Sequence, residues 1–119
     1  MKRVRILIVD NDSSVRYSIN YLLSPFATIT EAENGLMAQP IMLKQPFDLV
    51  LTDQRTPVMM GSDFIVWIRM QSFKPPNIIM VSANREYERL AMICGANAFV
   101  EKPFDINMFV ELVTSYAKT

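Results

Sequence analysis

Apolar residues in this chain gather in five short runs, at 4–9, 28–32, 49–52, 78–81 and 98–100, all rich in β-branched side chains. Several runs are continuously apolar and do not alternate, which suits strands buried on both faces of a parallel sheet. The segments between them carry helical spacing. Val15, Ile19, Leu22, Leu23 and Phe26 share one helical face after a cap at Asp12 or Ser13, and Pro25 ends the run. Phe64, Trp67 and Ile68 repeat the pattern after Gly61-Ser62, and Leu90 and Ile93 do so before a stop at Cys94-Gly95. Ile106, Phe109, Val113 and Tyr116 form a last helix capped by Asp105. The second helix is marked less clearly. Pro40 lies inside 36–44, so that helix is expected to start late, with Pro40 in its first turn, or to bend there.

Five strands alternating with five helices predict a (βα)5 architecture: a doubly wound, five-stranded parallel sheet with helices on both faces. Ligands of such sheets bind beyond the carboxyl ends of the strands, where the strand order switches. The residues that close each strand are therefore the ones to inspect. Asp10-Asn11-Asp12 follow the first strand, Asp53 the third, Ser82-Ala83 the fourth and Glu101-Lys102-Pro103 the fifth. One rim of the sheet thus gathers acids, a hydroxyl and an ammonium from distant parts of the chain.

Composition narrows the chemistry this rim can perform. The 119 residues fit one compact domain, and with half of them hydrophobic and a fifth charged the chain can bury a core. The formal net charge is zero, which argues against nucleic acid as a direct partner. There is no histidine, which excludes Ser-His-Asp and Cys-His catalysis, HExxH sites and most zinc sites. The single cysteine, Cys94, forms no internal disulfide and reads as a small buried apolar residue in a reducing compartment. The apolar stretch after Met1-Lys2-Arg3 ends at Asp10, too soon for a signal peptide or a membrane span, so a cytoplasmic location is expected.

Clustered carboxylates repel one another unless a cation sits among them. Oxygen ligands without histidine or thiolate point to magnesium or calcium, and magnesium takes few carboxylates plus waters and phosphate oxygens. A lysine and a serine hydroxyl opposite the metal suit the other oxygens of a phosphoryl group, and a carboxylate between them suits a nucleophile forming an acyl phosphate.

With those residues in place, the sequence resembles the receiver-domain family of bacterial two-component response regulators, chemotaxis-regulator-like and flavodoxin-like in fold, along nearly its whole length. The matching segments are Ile6-Leu7-Ile8-Val9-Asp10-Asn11-Asp12, Asp48-Leu49-Val50-Leu51-Thr52-Asp53, Pro57 with Gly61, Val81-Ser82-Ala83, Gly95-Ala96 and Lys102-Pro103-Phe104-Asp105. Each is weak alone, and their joint order and spacing make the match specific. The resemblance implies that Asp53 is the phosphoacceptor and that Asp10 and the backbone carbonyl of Arg55 help hold Mg2+. It implies that Ser82 contacts the phosphoryl group, that Lys102 binds it from a cis Lys102-Pro103 peptide, and that Phe99 is the aromatic switch residue. Arg55 and Asn84 would tune the lifetime of the phosphoryl group. A single receiver domain over 1–119 is expected, standing alone or continuing into an output domain. Its partners would be a histidine kinase or histidine phosphotransfer protein and a downstream protein, with a phosphorylation-linked dimer allowed. As an enzyme it would at most catalyse its own phosphorylation and dephosphorylation.

One position departs from the family pattern. Two adjacent acids usually follow the first strand, and here the second is Asn11. An amide oxygen coordinates without bringing charge, and Asp12 is the next acid, able to act through water. The expectation is weaker magnesium binding with phosphorylation retained. Plainer readings stand beside these: Asp12 as a helix cap, Ser82 as a small residue at a strand end, Lys102 as a solvated loop lysine, and Phe99 as core. Trp67 reads as half-exposed core filling. Asn11 also favours a pseudo-receiver that binds partners without phosphorylation, against which Asp53, Ser82 and Lys102 all speak. Asp10-x-Asp12 resembles the opening of the haloacid-dehalogenase phosphatase motif. There, however, Ser14 stands where threonine or valine is usual and no later acidic pair follows the lysine. A flavodoxin-like flavin binder would need a hydroxyl- and glycine-rich phosphate loop where residues 10–12 would instead repel phosphate.

Overall fold

The computed structural model describes residues 3–118. Strands β1 (Val4–Val9), β2 (Ala27–Ala32), β3 (Leu49–Thr52), β4 (Asn77–Ser82) and β5 (Ala98–Glu101) alternate with helices α1 (Ser13–Leu23), α2 (Gly35–Lys44), α3 (Gly61–Arg69), α4 (Glu88–Cys94) and α5 (Ile106–Ala117). All four strand pairings are parallel, in the order β2-β1-β3-β4-β5. Every predicted strand is present, with ends displaced by at most one residue.

The continuous apolar runs are explained by two cores, one on each face of the sheet. Leu7, Val9, Val50, Ile78 and Met80 point to α2, α3 and α4 and pack on Ala38, Met42, Phe64, Ile65, Ile68 and Ala91. The alternate residues Ile6, Ile8, Leu49, Leu51, Ile79 and Val81 point the other way, onto Ile19 and Leu23 of α1 and Phe109, Val113 and Ala117 of α5. Successive strand side chains thus serve different layers, so neither face needs a polar residue.

The helix signals resolve in detail. Asp12 caps α1, its carboxylate accepting from the Ser14 and Val15 amides, and Asp105 caps α5 by accepting from the Met108 amide. The helix α1 ends at Leu23, before Pro25. Of the two expectations for α2, a late start or a bend at Pro40, the late start is not what forms. Asn34 caps it by accepting from the Met37 amide, and the helix runs from Gly35 through Pro40, which is exposed and well past the first turn. Burial of Ala38 and Met42 against the sheet outweighs the one helical hydrogen bond the proline cannot donate. In α4 the buried position is Ala91, while Leu90 and Ile93 are 40% and 73% exposed. Their spacing marks a helix, but its core face is the small residue between them. Cys94 is half-buried against the α2–α4 core and Trp67 is half-buried between Phe64 and Phe73.

Candidate functional site

The strand order reverses direction at β1, so β2 and β3 leave it on opposite sides and a crevice opens at its carboxyl end. Val9 pairs with Thr52, so the next residues, Asp10 and Asp53, stand side by side on neighbouring strands. Main-chain bonds hold both: the Asp10 amide donates to Ala32 O at 3.1 Å and the Asp53 amide to Val9 O at 3.0 Å. On the other flank Ser82 pairs with Glu101, and the Lys102 amide donates to Ser82 O at 2.8 Å. The sheet register therefore brings together residues 92 positions apart in sequence.

Lys102 Nζ lies 3.2 Å from Asp10 Oδ2 and 3.7 Å from Asp53 Oδ2. The Asp10 side chain is 5% exposed and that of Asp53 12%. The peptide Lys102-Pro103 is cis, as expected. Asp10 Oδ1 accepts from the Asp12 amide and Asp53 Oδ1 from the Gln54 amide, so each carboxylate is held at one oxygen and meets the ammonium with the other. Burial pushes the Asp53 carboxyl above the ordinary aspartate range. The Lys102 ammonium opposes this rise and the Asp10 charge adds to it.

Asp53, Arg55, Ser82, Ala83, Asn84 and Lys102 line a cleft of about 240 Å³. The Ser82 hydroxyl is buried and accepts from the Asn84 amide at 3.2 Å, while the Asn84 side chain accepts from the Glu86 amide at 2.8 Å. Arg55 Nε donates to the Tyr87 hydroxyl at 3.2 Å, and its guanidinium lies 5.9 Å from that ring's centroid. Asn11 and Asp12 are exposed at the crevice edge. Phe99 is half-buried on the α2–α4 side of β5.

Some supporting residues left no recognisable sequence signal. Arg16 Nη1 donates to the Asp10 carbonyl at 2.6 Å while its Nε binds Glu31 at 3.0 Å, pinning the loop that carries the acids. The buried Gln54 side chain accepts from the Ser62 amide at 2.7 Å and donates to the Ser62 hydroxyl at 3.1 Å. It thereby closes the loop between β3 and α3 behind Asp53. That loop turns at Val58, whose φ is 76°, with the Met59 amide donating to Pro57 O at 2.9 Å, a γ-turn.

The donor set fits magnesium better than softer metals. The groups shown there, the Asp10 and Asp53 carboxylates, are hard oxygen donors with no thiolate or imidazole of the described residues beside them. Among the described residues no three carboxylate, thiol or imidazole groups converge. Nor does any buried side-chain nitrogen or oxygen lack a partner. Two largely buried carboxylates share one ammonium, so the rim carries an excess of negative charge.

The class of protein that this fold and rim define agrees with the comparisons. The chain belongs to the response regulator receiver domain family, whose model matches residues 6–114. It is similar to chemotaxis protein CheY-3 of Vibrio cholerae, 36% identical over 108 residues, covering 87% of this chain and 83% of that protein. Among solved structures it resembles chemotaxis response regulator CheY4 of Vibrio cholerae, with TM-score 0.89 and 26% identity over 97% of this chain and 99% of that one. It also shares its fold with the receiver domain of the sensor histidine kinase PA1611 from Pseudomonas aeruginosa PAO1, described with a magnesium ion coordinated in the active site cleft. There the TM-score is 0.89 at 23% identity, over 99% of this chain and 100% of that one. The protein is thus a CheY-like receiver domain of a two-component system. Among the described residues no helix is long and apolar enough to cross a membrane.

Proposed function

We propose that this domain, a single receiver over residues 1–119, accepts a phosphoryl group on Asp53 and relays it as a change in the surface formed by α4, β5 and α5. The observation that carries this reading is the Lys102 ammonium set 3.2 Å from Asp10 and 3.7 Å from Asp53 in the crevice at the sheet's switch point. No residue of the chain is histidine, so a phosphohistidine donor lies outside this sequence. A histidine kinase or histidine phosphotransfer protein is the donor class that fits. An Asp53 carboxylate oxygen attacks phosphorus, a P–O bond forms, the P–N bond to the donor imidazole breaks, and the imidazole leaves with a proton.

Asp10, Asp53, the Arg55 carbonyl and Asn11 would hold Mg2+, in line with the magnesium described for the sensor-kinase receiver. Asp12 contributes at most through water, because its Oδ1 already caps α1. Bound there, the ion would supply countercharge to the carboxylates and to the incoming phosphoryl oxygens. The ammonium of Lys102 offsets the charge of a further oxygen, and Ser82 donates to another once its hydroxyl turns from Asn84 towards Asp53. Phe99 follows that movement, and the downstream partner or a second copy reads the altered face. Arg55 and Asn84 line the cleft mouth and govern access of the hydrolytic water.

Intact mass after incubation with magnesium and acetyl phosphate tests the proposal. One phosphoryl group should add to the wild type and none to Asp53→Asn. Asn11 specifically favours the second reading, a pseudo-receiver that docks partners without phosphorylation. No addition to the wild type in excess magnesium would establish that reading instead.

A further inference from the structure

The segment between Ser82 and α4 is tied to β5 by one side chain. Arg85 lies three residues beyond Ser82, in the 3-10 turn Arg85–Tyr87 that leads into α4. Its Nε meets Glu101 Oε1 at 3.0 Å, its Nη1 meets Glu88 Oε1 at 2.9 Å, and its guanidinium carbon sits 5.8 Å from the centroid of the Phe99 ring. Phe99 and Glu101 are alternate residues of β5 and share one face, so a single planar fork spans both. The turn is also linked back to the cleft. Ser82 Oγ accepts from the Asn84 amide, and Asn84 Oδ1 accepts from the Glu86 amide. A continuous set of contacts thus runs from the Ser82 hydroxyl through the turn to the ring of Phe99.

We propose that Arg85 is a latch: by holding Glu101 and covering Phe99 it favours the arrangement in which the Ser82 hydroxyl faces Asn84, and so sets how readily the domain switches. This deepens the receiver reading above and rests on it. Arg85 is a positioning residue, since it acts on the cleft through the turn and through Phe99. Ser82 cannot turn towards Asp53 with its loop following while Arg85 keeps both partners, so the latch must open for the switch to complete. The three side chains in its ion pairs are about half exposed, with 58%, 46% and 43% exposure, so water screens the pairs and the bias they impose is small. A small bias suits a switch whose two states are close in free energy.

The test compares wild type, Arg85→Ala, Glu101→Gln and the double variant. Beryllofluoride with magnesium serves as phosphoryl mimic, and 4-fluorophenylalanine at position 99 is read by 19F NMR. Arg85→Ala and Glu101→Gln change the local charge in opposite senses, yet both open the latch. The latch therefore predicts that each raises the apparent beryllofluoride affinity, by about three-fold for exposed contacts of this kind. The double variant should gain no more than Arg85→Ala alone. In metal-free buffer both single variants should move the 19F resonance towards its beryllofluoride-saturated position. Opposite shifts in affinity would reveal a simple field effect and overturn the latch, as would an unmoved 19F signal in the metal-free variants. A wild type that binds no beryllofluoride would instead count against the receiver reading; the latch would then stand only if both single variants moved the metal-free 19F resonance in the same direction, and fall if they did not.

Discussion

Gly61, the first residue of α3, bears on the proposed phosphoacceptor Asp53 through its lack of a side chain. A Cβ at this position would lie 2.1 Å from the carbonyl oxygen of Asp53 and 2.9 Å from both Asp53 C and Gln54 Cα, where ordinary contact begins at 3.4 Å. Removing the clash requires a movement of about 1.3 Å. Neither side can yield cheaply. The Asp53 carbonyl accepts from the Thr52 hydroxyl at 3.0 Å, and the Gly61 amide donates to Gln54 O at 2.8 Å. Overpacking typically costs about 1–3 kcal/mol, and a backbone-on-backbone overlap this deep belongs at the upper end, about 3 kcal/mol. For a domain of this size that corresponds to a fall in Tm of about 10 °C. Because the atom that must move belongs to Asp53, its carboxylate shifts too, and a misplacement of about 1 Å can slow a reaction by on the order of 100-fold. Gly61→Ala should therefore lose both stability in a thermal melt and rate of phosphorylation by acetyl phosphate. Gly95→Ala is the control. There φ is 118°, and the close neighbour is the flexible Arg69 side chain at 2.8 Å. It should cost about 1–2 kcal/mol through left-handed backbone strain and leave phosphorylation untouched. Gly61→Ala with an unchanged Tm would refute the steric reasoning. A destabilised variant phosphorylated at the wild-type rate would refute the link between this glycine and Asp53.

Asp53→Asn should raise Tm in metal-free buffer. A carboxyl whose folded pKa lies above its unfolded value favours the fold below the unfolded pKa and loses that contribution as pH rises through the folded one. The gap between variant and wild type should thus open as pH rises from the ordinary aspartate range and level off once pH exceeds the raised folded pKa, and a gap independent of pH would contradict the assignment. Asn11→Asp should tighten magnesium binding several-fold by adding charge to the donor set, read by calorimetry; unchanged affinity would remove Asn11 as the weak point. Exchanging Arg55 and Asn84 together should change the rate of phosphoryl loss severalfold, and an unaltered rate in a mass-resolved decay would end their role as tuning residues.

Much of the fold could be read along the chain, because a parallel sheet covered on both sides demands uninterrupted apolar runs. Those runs delimited all five strands to within a residue. Capping was equally readable at Asp12 and Asp105, where a short acid precedes a helix and its carboxylate accepts from first-turn amides, those of Ser14 and Val15 for Asp12 and that of Met108 for Asp105. Local rules misled where tertiary burial outweighed them. Pro40 did not delay α2, since Ala38 and Met42 gain more from the sheet than the missing bond costs. Leu90 and Ile93 face outward, while Ala91 is buried and Cys94 packs beside it against the core.

The site divides in the same way. Asp10, Asp53, Ser82 and Lys102 were candidates from the sequence because each closes an apolar run, and a doubly wound sheet places all such ends on one rim. That Lys102 sits between the two aspartates depends on the register of three strand pairings, β1 with β3, β3 with β4 and β4 with β5, which no local pattern encodes. The same is true of Gln54 closing its loop on Ser62, of Val58 taking a positive φ that its branched side chain disfavours, and of Arg85 reaching across to Phe99. Hydrophobic periodicity fixes which residues are buried and where a strand stops. Which polar side chains then meet is decided by contacts between segments far apart in the chain, and those exist only once the sheet has assembled.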